Sequence, residues 1–281
     1  AERRAARGAR ARRRRPPAFD EVPANHPALG LVRAPRRRAK GRAIASERRL
    51  MNKIIAALPF ALTGSQSQAI DEIAVDMGST NRMLRLLQGD VGSGKTVVGL
   101  AAMAIAVEAG AQAAFMAPTE ILARQHFDTI GPMAEVAGLR CALLTGRDKG
   151  KPREALLADL AAGDIDILIG THAVFQRGVE FHDLALAVID EQHRFGVRQR
   201  KALVEREGLR PDVLVMSATP IPRSLAMTLY GDLDLSVLDE MPPGRTPVTT
   251  VLRSPDRREA VYAFVDEQLA EGRQAYVVYP L

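Results

Sequence analysis

Eight residues beginning at Gly89, GDVGSGKT, set three glycines, a lysine and a threonine in the spacing G-x-x-x-x-G-K-[ST]. The chemistry of that set is phosphate binding. Gly89, Gly92 and Gly94 let backbone N–H groups turn inward, with Asp90, Val91 and Ser93 completing the loop. Lys95 brings a cation for the β and γ phosphates, and Thr96 a hydroxyl for Mg²⁺, a hard ion that takes few protein ligands. Further along, the apolar run Leu186-Ala-Val-Ile189 ends in Asp190 and Glu191. Asp190 suits Mg²⁺ and Glu191 suits orienting or deprotonating an attacking water. Phosphoryl transfer asks for positioning and charge neutralisation more than for covalent help.

Both motifs need strand ends to hold them. Short apolar runs alternate with helical stretches from Ile54 onward, the pattern of βα units stacked into a parallel sheet. Met83 to Gln88 is expected as the first buried strand, with the glycine-rich turn leading into a helix over Thr96 to Glu108. Strands follow at 113–117, 141–144, 165–169, 184–189 and 213–216, and Leu233 to Leu238 closes an edge. Helices are expected over 120–136, 153–162, 197–206 and 224–230. The fold class is therefore α/β: a P-loop nucleotide-binding parallel sheet with helices on both faces. Ligands bind outside the carboxyl ends of such strands, where Lys95 and Asp190 fall.

Composition bounds the rest. The 281 residues carry 39 Lys+Arg against 33 Asp+Glu, five His, one Cys and no Trp. A lone Cys141 excludes a disulfide framework, a multi-thiolate zinc site and an iron–sulfur cluster, and suits a reducing, cytoplasmic setting. No run is long and apolar enough for a bilayer, so no membrane partner is expected. Charge is uneven: residues 1–53 are net +13 and residues 54–281 net −7. Eight Arg in the first fifteen residues suit a phosphate backbone, or equally a solvated lead-in. Prolines at 23, 27 and 35 argue for weak order there. Aromatic residues are 4% of the chain and do not interleave with the basic arm, so backbone tracking fits better than base stacking.

Asp190-Glu-Gln-His193 and Ser217-Ala-Thr219, each after an apolar strand, resemble motifs II and III of superfamily-two helicases. Further segments narrow the likeness: LPFALTGSQ ending at Gln66, MAPTEILARQH ending at His126, LLTG at 143–146, IGTHAVFQ at 169–176, DEQHRFGVRQR, and VMSATPIPRSLAMTLYGDLD. Together they resemble the RecG family of branch-migration DNA helicases, from about Leu58 to the end of the chain. The transcription-repair coupling translocases share a similar P-loop and an RFGV segment.

The resemblance implies an ATP-dependent, RecA-like motor lobe that uses ATP and Mg²⁺ and is expected to be monomeric on branched DNA such as forks and Holliday-type junctions. It implies that Lys95, Asp190, Glu191 and His193 are catalytic. Gln66 would recognise adenine with Phe60 stacking on it, although Gln66 also reads as a polar residue of a helix N-terminus. Ser217, Ala218 and Thr219 would couple the nucleotide site to DNA through His193. Pro118, Thr119, Glu120, Thr145, Gly146, Gly170, Thr171 and His172 would line the DNA path, each alternatively a helix cap.

The expected organisation is a basic, poorly ordered arm (1–53), the first motor domain (54–240), a linker MPPGRTP (241–247), and the start of a second RecA-like lobe (248–281) with strands at 248–252 and 275–279 around a helix at 257–271. The closing QAYVVYPL resembles that lobe's first strand, so the chain is expected to be an internal piece, low in turnover without the second lobe's arginine finger. Two alternatives stay open: an ATP- and DNA-binding module without useful catalysis, and a double-strand translocase.

Overall fold

The computed structural model describes residues 40–176, 178–190, 211–218, 233–242 and 249–278. The expected helices at 197–206 and 224–230 lie outside these residues. Contacts divide the chain into two compact units between Pro242 and Pro243.

The first unit is built on a parallel sheet. β1 (Leu84–Gly89), β2 (Gln112–Met116), β3 (Cys141–Leu144), β4 (Ile167–Gly170), β5 (Leu184–Asp190), β6 (Asp212–Ser217) and β7 (Asp234–Leu238) take the order β3-β4-β2-β5-β6-β1-β7. Every pairing is parallel. β2, β4 and β6 are buried at every position, which is why, between polar ends in β2 and β6, their sequences read as apolar runs rather than alternating ones.

Five helices belong to this unit among the described residues: α1 (Arg49–Ala56), α2 (Gly64–Met77), α3 (Lys95–Glu108), α4 (Glu120–Val136) and α5 (Gly150–Ala162). α3 is apolar all round, and small residues such as Ala101, Ala102, Ala104 and Ala106 let it sit buried against the sheet. α2 starts at a capping box: Thr63 accepts from the Gln66 amide, and the Gln66 side chain accepts from the Thr63 amide. An ion cluster ties α2 to the sheet. The buried Arg85 of β1 bonds Asp76 at 2.6 Å and Glu72 at 3.0 Å, and Ser236 of β7 donates to the same Glu72. Burial raises the Glu72 pKa, but the Ser236 and Gln68 hydrogen bonds and the Arg85 charge outweigh it, leaving a net lowering.

Two expectations change. The ordered unit begins at Lys40 among the described residues rather than at Ile54. Lys40 bridges Asn81, Gly41 N–H donates to Thr80 O at 2.8 Å, and Ile44, Met51 and Ile54 are core residues. The apolar face of α1 covers α3, and Glu108 at the end of α3 accepts the Leu50 amide, so the segment is held by the motor's own core. Residues 1–39 lie outside the description.

The second unit holds a short 3₁₀ turn (Pro255–Arg257) and α6 (Arg258–Ala270). The expected strands at 248–252 and 275–279 are not formed in their described portions, where Leu252 is 98% exposed and Tyr276 87%. A lone apolar run has no ladder partner for its N–H and C=O groups, so apolar composition alone does not make it a strand.

One core group reports on pH. Asp212, at the amino end of β6, is buried; its Oδ1 accepts the Met83 amide at 2.7 Å, and Oδ2 has no hydrogen-bond partner among the described residues. Burial, only partly offset by that amide and by Arg82, pushes its pKa from 3.8 up to about 7. The folded protein therefore holds this proton longer than the unfolded chain, and the group's contribution to stability falls as pH rises from about 4 to about 7. Asp212→Asn keeps the acceptor for Met83 and removes the charge. It is expected to raise unfolding free energy at pH 8 by about 1–3 kcal/mol and to leave it nearly unchanged at pH 4, read by urea denaturation at both pH values.

Candidate functional site

β1 ends at Gly89, and the chain turns through Gly92 (φ 81°) and Gly94 (φ 86°), both left-handed, before α3 begins at Lys95. Only glycine takes these angles without strain. Lys95 is buried, and its Nζ donates to Gly89 O at 2.6 Å and Asp90 O at 2.8 Å. Ser93 is buried beneath the loop.

Gln66 reaches this loop from α2. Its Nε2 donates to Ser93 O at 2.8 Å and its Oε1 accepts the Thr63 amide at 3.0 Å. A Cβ on Gly94 would stand 2.2 Å from the Gln66 amide nitrogen, so residue 94 is limited by the brace as well as by its φ. Gln66 is fully buried behind the loop, and Phe60, 41% exposed, is absent from the cleft lining. Within the chain, these contacts tie Gln66 to the start of α2 and to the loop.

Asp190 ends β5. β6 lies between β5 and β1, so the P-loop and Asp190 stand two strand spacings apart, roughly 10 Å. Ser217, paired in register with Gln88, fills the interval at the end of β6, and Ala218 follows it. A cleft of about 550 Å³ opens here, lined by Val91, Gly92, Gly94, Lys95, Thr96, Pro118, Thr119, Asp190 and Ala218 together with one face of α4. Glu191, His193 and Thr219 lie outside the described residues.

The α4 face is what sequence reasoning missed. Leu122, Gln125, His126 and Thr129 line the cleft, and His126 Nε2 stands 2.8 Å from Asp190 Oδ2. Thr119, Leu122, His126 and Thr129 recur at helical spacing, a signal readable from MAPTEILARQH and the helix expected over 120–136.

The remaining candidates gather where β2, β4 and β3 end side by side: Ala117 N–H donates to Gly170 O at 2.8 Å, and Leu144 pairs with Gly170. Thr145 and Thr171 are buried, and their hydroxyls serve local turns. Thr145 Oγ1 donates to Asp148 at 3.0 Å, and Thr171 caps the 3₁₀ turn His172–Phe175. The exposed groups of these turns are Gly146, Arg147 and His172. Arg147 pairs with Glu120 at 2.8 Å, and Thr119 caps α4 by accepting from Leu122.

The profile of DEAD/DEAH box helicases matches residues 63–228, more than half of the chain. The chain belongs to the DEAD/DEAH box helicase family. The chain is 53% identical over 229 residues to the ATP-dependent DNA helicase RecG of Bacillus subtilis (strain 168), covering 82% of the chain and 33% of that relative. With the RecG of Escherichia coli (strain K12) it shares 47% over 267 residues, 94% of the chain and 38% of the relative. It superposes on a structure of RecG bound to a three-way DNA junction with a TM-score of 0.80 at 46% identity, covering 90% of the chain and 34% of the other. The chain thus spans about a third of these relatives' length. Its fold is the RecA-like helicase fold, and no helix among the described residues is long and apolar enough to cross a membrane.

Gln66→Ala removes the donor to Ser93 O and the acceptor for the Thr63 amide. It is expected to cost about 1–3 kcal/mol of stability and to weaken ATP and GTP binding alike, read by thermal unfolding and nucleotide titration. Loss of discrimination between the two nucleotides with unchanged stability would favour the adenine-reading role instead.

Proposed function

We propose that the chain is the first motor lobe of an ATP-dependent DNA helicase of the RecG type, which in complete form remodels stalled forks and migrates Holliday-type junctions. The observation that carries this reading is one cleft, at the carboxyl edge of the sheet, lined by Lys95, Thr96, Asp190 and the N-terminal part of α4. The branched-DNA partner rests on similarity to RecG proteins, one of them bound to a three-way junction.

The donor set fits a phosphate chain and a hard divalent cation: left-handed glycine amides, a buried ammonium, a hydroxyl and a carboxylate. When bound, ATP with Mg²⁺ supplies a γ-phosphoryl group whose transfer to water releases the free energy for movement. Lys95 is held at the loop by two carbonyls and is placed to meet phosphate oxygens. Thr96 and Asp190 provide the oxygen donors for Mg²⁺. Glu191 orients or deprotonates water, and His193 couples through Ser217, Ala218 and Thr219. Pro118, Thr119, Glu120, Gly146, Gly170 and His172 present the DNA path, with Thr145 and Thr171 shaping its turns.

The second reading kept is a nucleotide- and DNA-binding module without useful catalysis. ATP hydrolysis with and without forked DNA at low salt separates the two. On the helicase reading forks raise turnover and Lys95→Ala lowers it by ~10²–10³-fold, the scale of losing one preorganised charge donor. Nucleotide binding without turnover selects the module, and unaltered turnover in Lys95→Ala sinks both.

A further inference from the structure

Phosphate binding leaves one contact of the cleft without a role, the hydrogen bond between α4 and Asp190. His126 Nε2 lies 2.8 Å from Asp190 Oδ2, and both side chains are largely buried. On its other side the imidazole packs on Phe115 of β2, with ring centroids 4.6 Å apart and planes at 50°. Phe115 is fully buried and its strand neighbours β5, so the ring is held between the sheet and the carboxylate. One oxygen of Asp190 is thus oriented by a helix and not by its own strand.

That helix leads to the other candidate surface. Thr119, the N-cap of α4, stands seven residues before His126, roughly 10 Å along the axis, and both line the cleft. Next to Thr119, Glu120 pairs with Arg147 beside Gly146. A group bound at this end of α4 acts on a rigid rod whose second turn holds Asp190. A cation at Asp190 shares its carboxylate with His126, so it acts on the same rod from the other end.

We infer that His126 is a positioning residue that links cation binding at Asp190 to DNA binding at the N-terminal end of α4. The inference rests on the assignment of Asp190 to Mg²⁺ and of Thr119 and Glu120 to the DNA path. Such a coupling is reciprocal: if DNA changes the Mg²⁺ requirement by some factor, Mg²⁺ changes DNA affinity by the same factor.

The test is a Mg²⁺ titration of a fluorescent, non-hydrolysable ATP analogue binding to the chain, with and without forked DNA. In the wild-type chain forked DNA is expected to move the Mg²⁺ midpoint by about fivefold or more, the lower end of ordinary coupling. His126→Phe keeps a ring on Phe115 but has no donor, and is expected to shrink that shift to under about twofold, measured against the variant's own Mg²⁺ midpoint without DNA. His126→Gln keeps an N–H donor and is expected to preserve most of the shift. The inference is overturned by a wild-type midpoint that DNA does not move, by a His126→Phe chain that keeps the shift, or by a His126→Gln chain as defective as His126→Phe. A chain that binds no analogue, or one in which Lys95→Ala binds as well as wild type, instead removes the nucleotide site itself and the inference with it.

Discussion

The ammonium of a lysine residue only 9% exposed must find partners, and the turn after β1 is shaped by that requirement. Two carbonyls of the turn, from Gly89 and Asp90, accept from Lys95, so the loop folds around its own cation. For the chain to bend that way Gly92 and Gly94 take left-handed angles, and Gly89 passes so close to Leu238 of β7 that a Cβ would stand 2.8 Å from that side chain. Gln66 then closes the loop from behind by holding Ser93 O. The capping box of α2, the β1–β7 pairing and the Arg85 ion cluster all support one eight-residue turn.

Much of this was legible in the sequence because each part has a local cause. The run of apolar residues before Gly89 and before Asp190 fixed two buried parallel strands, and Glu120 to Val136 and Cys141 to Leu144 form over the residues expected. What was not legible depends on tertiary partners. Helix α1 is short, with Leu50, Met51, Ile54 and Ile55 at helical spacing; the pattern is local, but the partner that holds it, α3, is set only by the tertiary fold. Thr145 and Thr171 have the residue type of phosphate contacts, but burial and the neighbouring Asp148 and Ala173 turn their hydroxyls inward. His126 was within a quoted motif, yet its meeting with Asp190 joins residues 64 apart across β2 and β5. The apolar runs of the second unit mislead in the opposite sense, since a strand needs a neighbour as well as a composition.

The order of strands explains why four separate segments share one edge. Inserting β5 and β6 between β2 and β1 creates a switch point, and at such a point successive helices leave the sheet in opposite directions and open a crevice. The P-loop enters from β1, Ser217 and Ala218 from β6, Asp190 from β5, and Pro118 and Thr119 from β2. No further contact is needed to bring them together than the ladder itself. A change in one strand's register would separate them, which places the buried sheet, rather than any loop, in control of the site's geometry.

Two aspartates at opposite ends of the sheet show what that edge supplies. Asp212 stands at the amino end of β6, where one oxygen takes a backbone amide and the other has no hydrogen-bond partner among the described residues, and burial pushes its pKa up to about 7. Asp190 stands at the carboxyl end of the neighbouring β5, opens onto the cleft and meets His126. Parallel strands direct their carboxyl ends toward the amino ends of the following helices, so amides and open space collect there and not at the other edge. The same residue type is therefore a cost to stability at one end and a ligand-ready group at the other, and the difference lies in the direction of the sheet, not in the side chain.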